Sequence, residues 1–204
     1  MSNKKRRSRS HGPLLISALA AASVVVLLAG CHLFGTSRAV ENYFPLAVGN
    51  QWCWVLANNP ADSVSIEISG SHPVNGITFY KFTSPGDTSF ANWFVHSNGE
   101  LKMYSTESDT APADTAGKDY FVWLKEPFDS GASWPQPNDS AETLRIVAND
   151  VTLTVPAGTF EHCVRVEASD MGSSYYYAPG VGWVRIDEGP DTTDAYVLKR
   201  YVTK

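Results

Sequence analysis

The chain has little of what metal and thiol chemistry need. It holds three cysteines in 204 residues, with no Cys-x-x-Cys pair, and none of its five histidines sits in a His-x-x-x-His spacing. Zinc and related sites draw on such clustered ligands, so the spacing points to no metal and no cofactor. There is no Gly-x-Ser-x-Gly nucleophile elbow, no phosphate loop and no dinucleotide glycine pattern, which removes the commonest hydrolase and nucleotide signatures. Positive charge is scarce. Sixteen Lys and Arg face 21 Asp and Glu, a net charge of −5, and such a chain repels phosphate backbones, so nucleic acid is not an expected partner. Helical periodicity is absent after residue 40, and there is one long apolar run, from Leu14 to Ala29.

That run is informative because of its flanks. Lys4, Lys5, Arg6, Arg7 and Arg9 precede it, and Leu28-Ala29-Gly30-Cys31 ends it. Sixteen residues, diluted by Ser17 and Ser23, are short of the roughly 20 that span a bilayer, which favours an export signal over a membrane anchor. The arrangement resembles the bacterial lipoprotein signal, with Leu-Ala-Gly-Cys as its lipobox. The resemblance implies cleavage between Gly30 and Cys31, a diacylglycerol on the Cys31 sulfur and an acyl group on the new amine. Each buried CH2 contributes about 0.8 kcal/mol, and two or more chains anchor stably. The implied location is the bacterial cell envelope, with the membrane as a partner through lipid alone. By analogy with enterobacterial sorting, where Asp after the cysteine retains the protein in the inner membrane, His32 favours the outer membrane.

Three segments follow: a signal peptide over 1–30, a tether over 31–41 and a single domain over 42–204. Removing the leader takes five basic and no acidic residues, leaving a net charge of −10. The domain reads as all-β. Val64, Ile66 and Ile68 alternate with polar neighbours, as do Val151, Leu153 and Val155, and again Val164, Val166 and Ala168. Period-two patterning marks strands with one wet face. Asn75-Gly76 and Asn98-Gly99 lie between such runs and read as hairpin turns. Thr106–Gly117, polar and small, reads as a loop.

The domain also repeats itself. Pro45, Gly49 and Trp52 recur 82 residues later as Pro127, Gly131 and Trp134, and Gly76 recurs as Gly158. Thr78-Phe79 matches Thr159-Phe160, Trp93-Phe94-Val95 matches Tyr175-Tyr176-Tyr177, and Gly99 to Met103 matches Gly182 to Ile186. Conserved order and offset suggest two similar units, about 45–126 and 127–204, each unable to bury its apolar face alone. Two units give about 10–12 antiparallel strands. A sheet of that size curls or splits, so a curved open barrel is expected, with a two-layer sandwich as the alternative.

Val155-Pro156-Ala157-Gly158-Thr159-Phe160, with Tyr176-Tyr177-Ala178-Pro179-Gly180-Val181-Gly182-Trp183-Val184, resembles a recurring pair in uncharacterised bacterial exported proteins. The opening Tyr43-Phe44-Pro45-Leu46-Ala47-Val48-Gly49-Asn50-Gln51-Trp52 is similar to the start of the same proteins. The resemblance implies an exported β-rich domain and carries no activity. Turn chemistry accounts for the Pro-Ala-Gly and Pro-Gly-Val-Gly stretches.

Few candidates for chemistry remain. His162 beside Glu161 reads as a surface or core histidine. Asp187–Asp194 is acidic but lacks the calcium-loop spacing and reads as a solvated turn. Cys53 and Cys163 are the thiols left once Cys31 is acylated, in a compartment that permits disulfides; a bridge between the two halves and a pair of buried free thiols are both open. Aromatic pairs share strand faces: Trp52 with Trp54, Trp93 with Val95, Tyr175 with Tyr177, and Phe121 with Trp123. Such faces can line an apolar binding groove or fill the core. The leading expectation is a lipid-anchored binding or scaffold module for an apolar ligand or an envelope partner. An envelope hydrolase with a site scattered over loops and a purely structural lipoprotein are the alternatives.

Overall fold

The computed structural model describes residues 38–85, 87–106, 110–113, 119–169, 172–189 and 194–204. The leader, the Gly30–Cys31 cleavage and lipidation site and the tether up to residue 37 lie outside the described residues, as do parts of the 106–117 and 187–194 loops.

Residues 38–204 form one compact unit. After a single helical turn, α1 (Val40–Tyr43), come twelve strands: β1 (Gln51–Leu56), β2 (Asn59–Val74), β3 (Ile77–Ser84), β4 (Asp87–Ser97), β5 (Glu100–Thr106), β6 (Phe121–Lys125), β7 (Ser133–Pro135), β8 (Thr143–Val155), β9 (Gly158–Ala168), β10 (Ser174–Ala178), β11 (Gly182–Asp187) and β12 (Ala195–Val202). All pairings are antiparallel, in the order β6-β5-β4-β3-β2-β1-β12-β11-β10-β9-β8-β7. The result is one nearly closed barrel-shaped sheet, not two layers. Val40 is fully buried, so packed structure begins two residues before the expected boundary at 42.

The local rules that predicted the strands also set their turns. Asn75 and Gly76 both have positive φ (51° and 82°), as do Asn98 and Gly99 (57° and 71°). Two successive left-handed residues are what a tight hairpin between right-twisted strands requires, and these turns join β2 to β3 and β4 to β5. The sequence matches fall in strands of equal rank: Trp52 in β1 and Trp134 in β7, Phe79 in β3 and Phe160 in β9, Trp93 in β4 and Tyr175 in β10, Leu101 in β5 and Val184 in β11.

The two halves meet differently on their two sides. β1 and β12 pair over six residues. On the other side β6 and β7 are sheet edges, and side chains replace the ladder. The Gln136 amide accepts from the Val122 N–H (2.8 Å) and donates to the Val122 carbonyl (3.1 Å). The Trp134 indole donates to that carbonyl as well (2.9 Å). The Tyr177 hydroxyl donates to the carbonyl of Trp123 on the same strand (2.9 Å). Gln136 is 2% exposed, so the Val122 N–H and carbonyl and the Trp123 carbonyl are satisfied without water.

One end of the barrel is plugged. α1 and the residue after it insert Val40, Tyr43 and Phe44, all nearly fully buried. The Phe44 ring lies 5.8 Å from Trp52, 5.8 Å from Phe94 and 4.7 Å edge-on from Trp183. Gly182 runs directly beneath it, where a Cβ would meet the Phe44 ring at 3.2 Å. Hydrogen bonds fix the plug: Val40 N–H to Glu126 Oε1 (2.7 Å), Gly180 N–H to the Asn42 carbonyl (2.6 Å) and Tyr43 Oη to the His162 carbonyl (2.9 Å).

Two predictions follow from this frame. Replacing Gln136 by Ala leaves the Val122 N–H unpaired in a dry seam. At about 1–3 kcal/mol for each buried group left unsatisfied, the urea midpoint should fall by an amount corresponding to roughly 2–4 kcal/mol. His96 is the second. Burial lowers its pKa, against opposing pushes from Glu41 and the Phe44 backbone, and its Nε2 is buried without a partner among the described residues. The unfolded chain, whose histidine titrates near 6.5, therefore binds more protons than the folded one below that pH, and stability falls as pH drops from 7 towards 5.5. Melting curves should show this loss in the native sequence and a smaller one in His96→Gln.

Candidate functional site

The end opposite the plug is open. A cavity of about 650 Å³ enters there, its walls including Trp54, Phe82, Phe94, Trp123, Tyr175 and Trp183. Alternation places each ring. In β1, Trp54 follows Trp52 two residues on and pairs across to Val64, so both project inward. In β10, Tyr175 and Tyr177 do the same. Val64 is inward by register yet 45% exposed, because the inner face ends at the mouth there. The floor is the aromatic stack around Phe44.

The walls interlock. Trp54 Nε1 donates to the Trp183 carbonyl (3.0 Å) and Trp123 Nε1 contacts Met103 Sδ at 3.3 Å. Trp123 stands nearly perpendicular to Tyr175 (81°, 4.9 Å) and to Trp183 (72°, 5.2 Å). Such edge-to-face contacts are each worth about 0.5–1.5 kcal/mol beyond burial. Burial, helped by the neighbouring Tyr175 and opposed by a hydrogen bond from Trp183, holds the Tyr177 hydroxyl well above its usual pKa, so it is a neutral donor at the base of the cavity.

Five of the aromatic residues singled out from sequence, Trp52, Trp54, Trp93, Tyr175 and Tyr177, divide accordingly. Trp54 and Tyr175 line the cavity. Trp52 and Tyr177, 1% and 0% exposed, fill the core beneath it. Trp93 belongs to a separate cluster with Phe79, Val95 and Tyr104, on the opposite face of the sheet, because its neighbour Phe94 takes the inward position. Trp123 and Trp183 were visible in the sequence as strand aromatics, but which strands would converge at one end was not. Phe44 and Phe82 carried no such signal.

The cysteines are free buried thiols, and the disulfide reading is corrected. Cys53 lies in β1 and Cys163 in β9, four strand spacings apart in the sheet order. At about 4.8 Å per spacing that is roughly 19 Å along the sheet, against the limit of about 7 Å for a bridge. The alternation of Val164, Val166 and Ala168, continued back by one residue, would put Cys163 on the wet face, and the structure corrects this as well. His162 has positive φ (58°) and the pairing of β8 with β9 is irregular around it. The shift turns both Cys163 and Val164 inward, each 0% exposed. Burial pushes the Cys163 thiol up to about 11, which leaves little thiolate.

A histidine–carboxylate pair does occur: His162 Nδ1 and Asp150 Oδ1 are 2.7 Å apart. Both side chains are about two-thirds exposed (63% and 65%) on the outer surface, and among the described residues no serine hydroxyl joins them. A second depression, about 670 Å³, runs along the outer face of β2, β1 and β12 past Cys53, Ser65 and Arg200. Among the described residues no three His, Cys, Asp or Glu side chains converge. No helix among them is long and apolar enough to cross a membrane.

The fold and cavity define a plugged antiparallel β-barrel with one aromatic mouth. No protein-family model matches the chain, and no curated protein matches it. Two solved structures are similar to it. One is a "putative lipoprotein" from Parabacteroides distasonis, 16% identical over 78% of this chain and 98% of that one, with a TM-score of 0.46. The other is a "putative exported protein with YmcC-like fold" from Bacteroides fragilis, 17% identical over 79% of this chain and 99% of that one, also with a TM-score of 0.46.

The state of the thiols is directly measurable. The acylated protein, unfolded in denaturant without reductant, should titrate two thiols per chain; none would restore the bridge.

Proposed function

We propose that the protein is a lipid-anchored cell-envelope protein, held through Cys31 and sorted to the outer membrane, that binds an apolar ligand in the aromatic cavity and performs no catalysis. The observation that carries this reading is the cavity itself. Side chains can fill a barrel of about eight strands, whereas in this twelve-stranded sheet about 650 Å³ is left open at one end, in the range of small-molecule sites. Its lining is dominated by aromatic and aliphatic groups, and the one histidine–carboxylate pair described above lies outside it.

The lipobox supports the location. Residues 38–40 enter the barrel at the plugged end, where Val40 bonds to Glu126, so the mouth is at the end of the barrel away from the attachment of the tether. Ligand exchange in this reading occurs through the aqueous compartment.

Two measurements test the proposal together. Metabolic acyl labelling should mark the native protein and not Cys31→Ser, which should also keep its leader. Native mass spectrometry of the gently extracted lipoprotein should show a retained small apolar molecule, and Trp123→Ala should lose it while remaining folded by circular dichroism. A labelled Cys31→Ser protein would refute the anchor. Specific retention of another envelope protein with an empty cavity would favour the scaffold role.

A further inference from the structure

The cavity wall has a charge character that its apolarity does not require. Among its described lining residues there is one side chain of formal charge, Glu188 at the rim, and no Lys, Arg or His. The remaining polar lining, Thr83, Ser84, Asn92 and Ser173, is neutral. Seven rings line this space, five of them tryptophan or tyrosine: Trp54, Trp123, Tyr175, Trp183 and Tyr196. Their faces carry negative electrostatic potential.

The indole donors of the wall are turned to the protein. The Trp54 N–H is used by the Trp183 carbonyl, and the Trp123 N–H by Met103. Trp183 Nε1 is buried in the wall, turned to the Tyr177 hydroxyl. What is offered to a ligand is therefore mainly π surface, with rings set at 72° and 81° to one another around Trp123. In these contacts one ring's edge covers part of its neighbour's face, and the aromatic surface left toward the cavity is of the kind that attracts alkylated ammonium groups.

Tyrosines on the opposite face of the sheet make the contrast. Arg165 and Arg185 lie 5.6 and 5.8 Å from the Tyr176 ring on its two neighbouring strands, and Lys102 lies 4.8 Å from Tyr120. There the protein supplies its own cations to its rings. At the mouth the described residues supply none and add a carboxylate. The net charge, −5 for the chain and −10 beyond residue 30, attracts cations over a longer range.

We infer that the cavity selects a cationic amphiphile, an apolar body carrying an alkylated ammonium group, with the cation among the tryptophan and tyrosine faces near Glu188. The inference rests on the apolar-ligand reading above and assigns the charge of that ligand.

Three water-soluble probes of equal chain length separate the two readings: hexyltrimethylammonium, 1-hexanol and hexyl sulfate. Each is titrated into the acylated protein in nanodiscs, with empty nanodiscs as blank, and followed by tryptophan fluorescence. The ammonium should bind at least about tenfold tighter than the sulfate, a difference of about 1.4 kcal/mol, with the alcohol between them. Glu188→Gln, at an exposed rim position, should weaken the ammonium several-fold more than the alcohol. Added salt should reduce the same gap. Sulfate binding as tight as ammonium, or three equal affinities, would overturn the charge assignment while leaving an apolar site. Failure of all three probes to bind would overturn the apolar-ligand reading itself.

Discussion

The barrel depends on a pair of hydrogen bonds that look like a β-ladder and are not one. Val122 on β6 has its N–H and its carbonyl engaged by the side-chain amide of Gln136 at 2.8 and 3.1 Å. A twelve-stranded sheet that stops short of closure leaves two edges, and β7, with three residues including Pro135, is too short and too poor in donors to pair as β1 does with β12. A primary amide carries the same donor and acceptor as a peptide group, so one buried glutamine substitutes for a strand. Trp134 and Tyr177 reinforce the same edge from inside. Without this closure the aromatic interior would open along its side to water.

The second dependence is on Phe44. It is contributed by the chain just before the first strand, yet it touches strands from both halves: Trp52, Phe82 and Phe94 from one, Tyr177 and Trp183 from the other. Fully burying a phenylalanine contributes about 1.5–3 kcal/mol, and here it also sets the depth of the barrel. The plug fills the interior from one end, and the rings above it become the floor and walls of the cavity. The contacts that stabilise the fold are thus continuous with the surface offered to a ligand, and the interlocked indoles leave that surface little freedom to collapse.

Much of this was legible in the residues. Asn-Gly pairs marked two hairpins because the turn needs two left-handed residues, and alternation marked the inward sides of β2, β8 and β9. It failed at Cys163, where a left-handed His162 and an irregular register put two successive side chains inside. It also missed that β2 runs for 16 residues through Gly70 and Pro73, since both residues read as strand breakers when neighbouring strands are not known. The matched motifs fall in strands of the same rank in each half, which is a local property that survives without knowledge of the closure.

The sequence by itself determined the strand class, the hairpins, the acidic balance and the candidate export and lipid signal, because these depend on neighbouring residues and on chain chemistry. Tertiary structure decided which aromatics are core and which line a mouth, since Trp52 and Trp54 share one strand face and differ only in depth along the barrel. It decided that Cys53 and Cys163 stay apart, through a strand order that places three strands between them. It also decided that Gln136 closes the seam and that Glu188 comes to the rim of an aromatic space. Each of these is a meeting of residues far apart in the chain, and periodicity carries no information about such distances.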